Sequence, residues 1–136
     1  MKKTIMPAFK SACSAALQAV IKPVTIYSDN VGGHSNTARN VTASSEEFYL
    51  PAEFEVHGVR SYANNAEQNY QTQLAYYKAG NSKVKYKHNA TGTSAYVWCR
   101  SAFYATSASF CDVSISGSAA AASAYSSLGV APLCNV

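Results

Sequence analysis

Apolar and polar positions change period along the chain, and the changes mark helices first and strands later. Phe9, Cys13, Leu17, Val20 and Ile21 recur at helical spacing, which predicts an amphipathic helix from about Pro7, stopped by Pro23. Residues 24–27 read as a short strand. Residues 28–45 are rich in Gly, Asn, Ser and Thr, the composition of a long surface loop. Pro51 suits the first helical position, so residues 52–56 are predicted as a short helix ended by His57 and Gly58. Residues 59–69 show no period and read as an irregular linker. Tyr70, Leu74 and Tyr77 share a helical face, which predicts a helix over 70–78, stopped at Ala79-Gly80-Asn81. Val84 and Tyr86 alternate with lysines, the mark of a strand over 82–86, with a turn at 89–93. Further strands are predicted at 95–101, 108–115 and 129–136. The order of elements predicts an α+β domain with N-terminal helices and a C-terminal antiparallel sheet.

Composition bounds this picture without redirecting it. A chain of 136 residues is one domain, 1–136, or the C-terminal part of something longer. Hydrophobic residues make up 48% and charged residues 13%, and there are ten tyrosines. That fits a packed β-containing fold with a recognition surface, not disorder. The net charge of +4 is mild, and Lys83, Lys85 and Lys87 alternate as one solvated strand face, so nucleic acid is not an expected partner. Lys2 and Lys3 before an Ala-rich stretch have a signal-peptide look, but Pro7 and Lys10 interrupt the apolar run. No apolar run is long enough to span a bilayer, so membrane insertion is not expected either. The N-x-T matches at Asn40 and Asn89 are short enough to arise by chance.

Catalytic and metal chemistry find little support. Cys13, Cys99, Cys111 and Cys134 form no C-x-x-C pair, and no histidine stands near one at zinc-ligand spacing. They read as free, semi-buried thiols, with two disulfides the alternative in an oxidising compartment. His34, His57 and His88 are separated and suggest no triad; no Gly-rich phosphate loop appears. Acidic residues are few and scattered, whereas a hard cation wants several convergent oxygens. The expectation is a non-enzyme with no catalytic residue, metal or cofactor.

The C-terminal part reads as a fixed frame around exchangeable positions. The frame is Tyr96-Val97-Trp98-Cys99-Arg100-Ser101, Phe110-Cys111-Asp112-Val113, Gly117, and Gly129-Val130-Ala131-Pro132. Trp98, Phe110 and Val113 are expected to anchor strands, Trp98 in the core. Arg100 is expected to tie a loop through a carboxylate or carbonyl. Between the marks lies a run of Ser, Ala and Tyr with almost no charge.

The segment Phe48 to Val56, with Leu50, Pro51, Glu53 and Glu55, resembles a segment of formylglycine-generating-enzyme-type domains, a branch of the C-type-lectin-like fold. The residues themselves also allow a Pro-started helix with solvated glutamates. The frame, with Tyr27-Ser28-Asp29-Asn30 and the stretches from Arg60 and Tyr76, resembles an uncharacterised domain family of phages and prophages of gut Firmicutes. Val97, Cys99 and Ala102 depart from the Trp, Leu and Pro usual there. The family in turn resembles variable proteins of diversity-generating retroelements, which present randomised side chains on a C-type-lectin-like backbone. The resemblance implies a variable region of about 97–128. Its ligand-binding positions would be Phe103, Tyr104, Thr106, Ser107, Asp112, Ser114, Ser116, Ser118, Ala120, Ala121, Ala122, Ser123, Tyr125 and Ser127. Phe103, Tyr104 and Tyr125 are the natural anchors, since aromatic side chains give large contact area at low entropic cost. The implied function is receptor recognition by a phage tail or fibre, on the virion, with a bacterial-surface protein or glycan as partner and a homo-oligomer (a trimer in a fibre) compatible with it. The oxidase branch of the fold uses paired cysteines, for which Cys99 and Cys134 are the only candidates. The alternative is a bacterial surface or secreted structural protein with no selective ligand.

Overall fold

The computed structural model describes residues 4–33 and 36–136, so Lys2, Lys3 and His34 lie outside the described residues. The predicted N-terminal helix is two helices, α1 (Ile5–Ala12) and α2 (Ala15–Val20). The break has a local cause. Ser14 is extended and its hydroxyl accepts from Leu17 N–H, so it caps a new helix instead of continuing the old one. Strand β1 (Val24–Asp29) follows as expected, but the predicted loop 28–45 is not all loop. Its end forms β2 (Val41–Glu46), antiparallel to β1 along its whole length.

Helix α3 (Glu53–His57) stops at Gly58, whose φ of 71° is the left-handed conformation that closes a helix. The predicted linker 59–69 is ordered, with a 3₁₀ turn at Asn65–Asn69 and Ala63, Asn64, Ala66 and Glu67 buried. The predicted helix 70–78 shrinks to α4 (Ala75–Lys78), because Leu74 has left helical geometry and Tyr70 stacks on Tyr27 across the fold. A hairpin of β3 (Lys85–Lys87) and β4 (Ala90–Ala95) comes next, so the expected turn 89–93 is largely strand.

The C-terminal half is a three-stranded antiparallel sheet of β5 (Val97–Ala102), β6 (Ser109–Val113) and β7 (Ala119–Ser123), with β6 central. β7 lies within the run read as exchangeable surface. The predicted last strand is instead a series of single bridges: Gly129 beside Val97, Leu133 beside Tyr49, and Asn135 beside Lys22. That segment laces β5 to the N-terminal part. The α+β class with antiparallel sheets therefore stands.

The sheet separates two apolar clusters. Val97, Cys99, Cys111 and Val113 point to one side and pack with Val56, Ala63 and Tyr77. Trp98 points to the other and packs with Met6, Ile21, Phe48 and Leu50. The alternation follows from the two-residue period of a strand. Trp98 is buried at 9% exposure, as expected, while Phe110, expected to anchor a strand, is 39% exposed and meets Trp98 edge to face. All four cysteines carry free thiols. Cys99 and Cys111 are buried, and burial raises both thiols far above their ordinary range.

Candidate functional site

The rigid base of the site is a set of buried carboxylates. The glutamates of α3 are not solvated. Glu53 is fully buried and accepts from the backbone N–H groups of Ser61, Tyr62 and Ala63 at 2.7–3.1 Å. Its own N–H donates to Ser101 Oγ, and that hydroxyl donates to Glu67 Oε2 at 2.6 Å. Glu67 also accepts from Asp29 N–H and Gln71. Asp29 in turn accepts from Asn64, Val31 N–H and Gly32 N–H. A buried carboxylate survives only when its oxygens are filled, and here each has several donors.

Arg100 behaves as its sequence context predicts. Its guanidinium grips Glu55 with Nη1–Oε2 2.6 Å and Nη2–Oε1 2.5 Å, donates to Leu50 O, and reaches Ser28 Oγ through Nε. Glu55 also accepts from Ala52 N–H, so one carboxylate joins the start of α3 to β5. The fork geometry of Arg suits this role, which a lysine would not fill.

On this base the fourteen sequence-selected positions divide. Phe103, Tyr104, Thr106 and Ser107 form the β5–β6 connection, and Ser123 and Tyr125 lie at the same end of the sheet, where Ala124 N–H bonds Ala108 O. Here Phe103 meets Tyr62 and Tyr104 edge to face, and the Arg60 guanidinium lies 5.1 Å from the centre of the Tyr104 ring. Tyr125 is 91% exposed. The connection is braced from below, with Gly33 N–H bonded to Phe103 O and Tyr104 N–H to Tyr62 O.

Ser114, Ser116 and Ser118 sit at the opposite end, in the β6–β7 turn, roughly 15 Å away by strand rise. Their hydroxyls form a chain with O–O distances of 2.9 and 3.2 Å. Gly117, at φ 82°, closes the turn, which packs against Lys83 and Val84 so tightly that an added Cβ would lie 3.3 Å from each. Ala120, Ala121 and Ala122 are half-buried in β7, Ala122 against the Trp98 cluster, and Ser127 is exposed.

Asp112 is a correction. It was expected to point outward, yet it is 1% exposed, opposite Trp98 and Ala120 in the sheet, and its Oδ1 has no hydrogen-bond partner among the described residues. Burial raises its carboxyl to about 6. His57 is the inverse case: burial, then the nearby Lys83 charge, lowers its imidazole to about 4, and its Nε2 likewise has no partner among the described residues.

Two features escaped the sequence. Arg60 and Tyr62 extend the aromatic end of the sheet; Arg60 opens a stretch that carries the family resemblance, but no periodicity marked it as surface. A cavity of about 440 Å³ lies between the β1–β2 hairpin and the sheet, walled by Met6, Ile26, Phe48, Leu50, Trp98 and Phe110. Among the described residues no group of three His, Cys, Asp or Glu is placed to hold a metal ion, and no helix is long and apolar enough to cross a membrane.

The domain family designated DUF6273, a domain of unknown function, matches residues 3–136, and the chain belongs to that family. Comparison with curated proteins and with solved structures found no match.

Proposed function

We propose that this is a ligand-binding domain of C-type-lectin-like architecture that recognises a protein or glycan receptor on a bacterial surface, carried on a phage or prophage tail or fibre. Its contact surface is the aromatic end of the sheet: Phe103, Tyr104, Thr106, Ser107, Ser123 and Tyr125, with Arg60 and Tyr62 added. The observation that carries the reading is the contrast at that end. Tyr125 is 91% exposed in the turn that follows β7, while Ser101 and Ala102 at the same end of the sheet, and Ala63 paired with Phe103, are buried. An exposed tyrosine on a fixed backbone binds at small entropic cost, and a few such anchors dominate an interface. Helices preceding an antiparallel sheet, and a final segment returning to Tyr49 and Lys22, fit the C-type-lectin-like assignment. Diversification by a retroelement belongs to the same proposal; a reverse transcriptase gene and a near-identical template repeat beside the 3′ end of this gene would establish it.

The test is a double substitution, Tyr104→Ala with Tyr125→Ala, read by thermal melt and by flow cytometry of the labelled domain on a panel of bacterial cells. The reading requires cell binding by the parent and its loss in the variant with the melt nearly kept. Parent and variant binding equally places the contact elsewhere and overturns this surface; neither binding any strain leaves a structural protein without a selective ligand.

A further inference from the structure

The seven carboxylates of this chain are distributed very unevenly. Asp29, Glu53, Glu67 and Asp112 are buried at 2% exposure or less. Glu55 is held by Arg100 and Glu47 by Lys10, while Glu46 lies on β2. The sequence contains no Asp or Glu between Glu67 and Asp112. The lysines have the opposite distribution. Lys78, Lys83, Lys85 and Lys87 all fall in that acid-free interval, and among the described residues none of them forms an ion pair. The mild net charge of the whole chain therefore hides a strongly one-signed face.

These lysines lie on neighbouring elements, Lys78 at the end of α4 and Lys83, Lys85 and Lys87 in and just before β3. Lys85 Nζ lies 5.0 Å from the centre of the Tyr77 ring in α4, and Tyr76, 56% exposed, meets that ring edge to face. Lys87 lies in β3 with Lys85, and Tyr86 between them is 59% exposed. Lys83 packs on Gly117, which places it beside the turn holding the Ser114, Ser116 and Ser118 hydroxyls. The face thus combines cations, hydroxyl donors and exposed tyrosine rings, at the end of the sheet away from Tyr125.

We infer that this face binds an anionic polysaccharide, with the lysines and the serine turn on its charged groups and Tyr76 and Tyr86 against its sugar rings. Charge complementarity selects a polyanion. The cations are all lysines, point charges that meet scattered anionic groups; no arginine fork stands here to read a base edge or clamp a phosphate. A sugar ring presents apolar faces to tyrosine and hydroxyls to serine. This deepens the proposed receptor reading by naming the receptor's chemistry, but it rests on different residues from the Tyr104–Tyr125 surface.

The experiment uses the full chain and heparin as the probe, with uncharged dextran, single-stranded DNA and duplex DNA of matched charge as comparisons, titrated calorimetrically at several salt concentrations. Two variants accompany the parent: Lys83→Gln/Lys85→Gln/Lys87→Gln, and a remote control, Lys10→Gln/Lys22→Gln. The expected result is heparin binding that weakens steeply with salt, no dextran binding, at least about tenfold weaker binding by the triple variant, and little change in the control. The reason is that each lysine neutralised on the binding face releases fewer counterions from the polyanion. No heparin binding, or equal loss in both variants, overturns the inference. DNA binding as tight as heparin at the same salt assigns the face to nucleic acid and also overturns it. A Tyr104→Ala/Tyr125→Ala variant that keeps heparin affinity but loses cell binding separates this face from the aromatic one; if cell binding persists, the receptor reading fails while the heparin result stands on its own.

Discussion

The interior around Glu53 and the turn at Ser114–Ser118 are both clusters of small polar groups joined by hydrogen bonds, and they behave as opposites. The first is closed. Glu53, Ser101, Glu67, Asp29 and Asn64 are almost without solvent exposure, and their hydrogen bonds join segments far apart in the chain, with local turns filling one oxygen each of Asp29 and Asn64. The second is open: Ser116 and Ser118 are exposed and bond only to their own turn. The same residue types thus act as scaffold or as surface according to where their partners come from. Bonds between distant segments tie the first cluster into the fold, whereas the partners of the second, among the described residues, all lie within its own turn. Substitutions that probe this contrast should fall into two well-separated sizes of effect.

The largest effects belong to the frame. Trp98→Ala should cost about 3–5 kcal/mol, read as a large fall in melting temperature. Arg100→Ala strands Glu55 in a part-buried site and should cost about 3–5 kcal/mol, with no rescue by Arg100→Lys, because lysine cannot supply the two-pronged grip. Glu53→Ala leaves the N–H groups of Ser61, Tyr62 and Ala63 without their acceptor, and the domain should be destabilised by about 3 kcal/mol or more. Any of these melting like the parent would break the division between scaffold and surface.

Asp112 gives an intermediate effect of opposite sign. Its folded carboxyl is raised to about 6, so it favours the fold below pH 3.8, and that contribution is lost as pH rises through about 6. Asp112→Asn should therefore stabilise the domain at pH 7, by roughly 1–2 kcal/mol. His57, lowered to about 4, works the other way: its contribution is present above pH 6.5 and lost as pH falls through about 4. In the parent the two oppose each other across the same window. In Asp112→Asn the histidine acts with less opposition, and denaturant midpoints measured from pH 4 to pH 7 should rise more steeply with pH than the parent's. An unchanged slope would mean that Asp112 is solvated.

The smallest effects belong to the surface. Tyr125→Ala should stay within about 0.5 kcal/mol. Tyr104→Ala should cost slightly more, about 0.5–1 kcal/mol, through its pairing with Arg60. A larger destabilisation at either tyrosine would move it into the scaffold.

Much of the fold was legible where physical demands leave a mark on residue type. Gly58 signalled the end of α3, the lone Trp98 signalled core, and Arg100 signalled a carboxylate partner. β1, β5 and β6 carry enough branched and aromatic residues to be seen. β2 and β7 do not. Val41-Thr42-Ala43-Ser44-Ser45-Glu46 pairs along β1 without an apolar face of its own, and Ala119–Ser123 is held by ladder bonds to β6 that alanine neither favours nor advertises. The buried acids were hidden for a related reason. Periodicity reports where apolar residues go, and Glu53, Glu67 and Asp112 are polar residues whose burial is set by donors or sheet neighbours elsewhere in the chain. The Leu50-Pro51-x-Glu53-x-Glu55 pattern was the available signal, and of the two readings it left open, the burial of Glu53 and the pairing of Glu55 with Arg100 exclude the one with solvated glutamates. The candidate site was legible as a set of residues but not as a place, since one continuous stretch of sequence reaches both ends of a sheet.

Hydrogen–deuterium exchange of the full chain, with and without cell-wall fragments from a strain it binds, tests the central claim most directly. Binding at the aromatic end should slow exchange at residues 103–107 and 123–127 and in the segment carrying Arg60 and Tyr62, while the strand amides of Trp98 to Ser101 stay unchanged. Protection confined to the cavity wall at residues 44–50, or no protection anywhere despite retained binding, would contradict it.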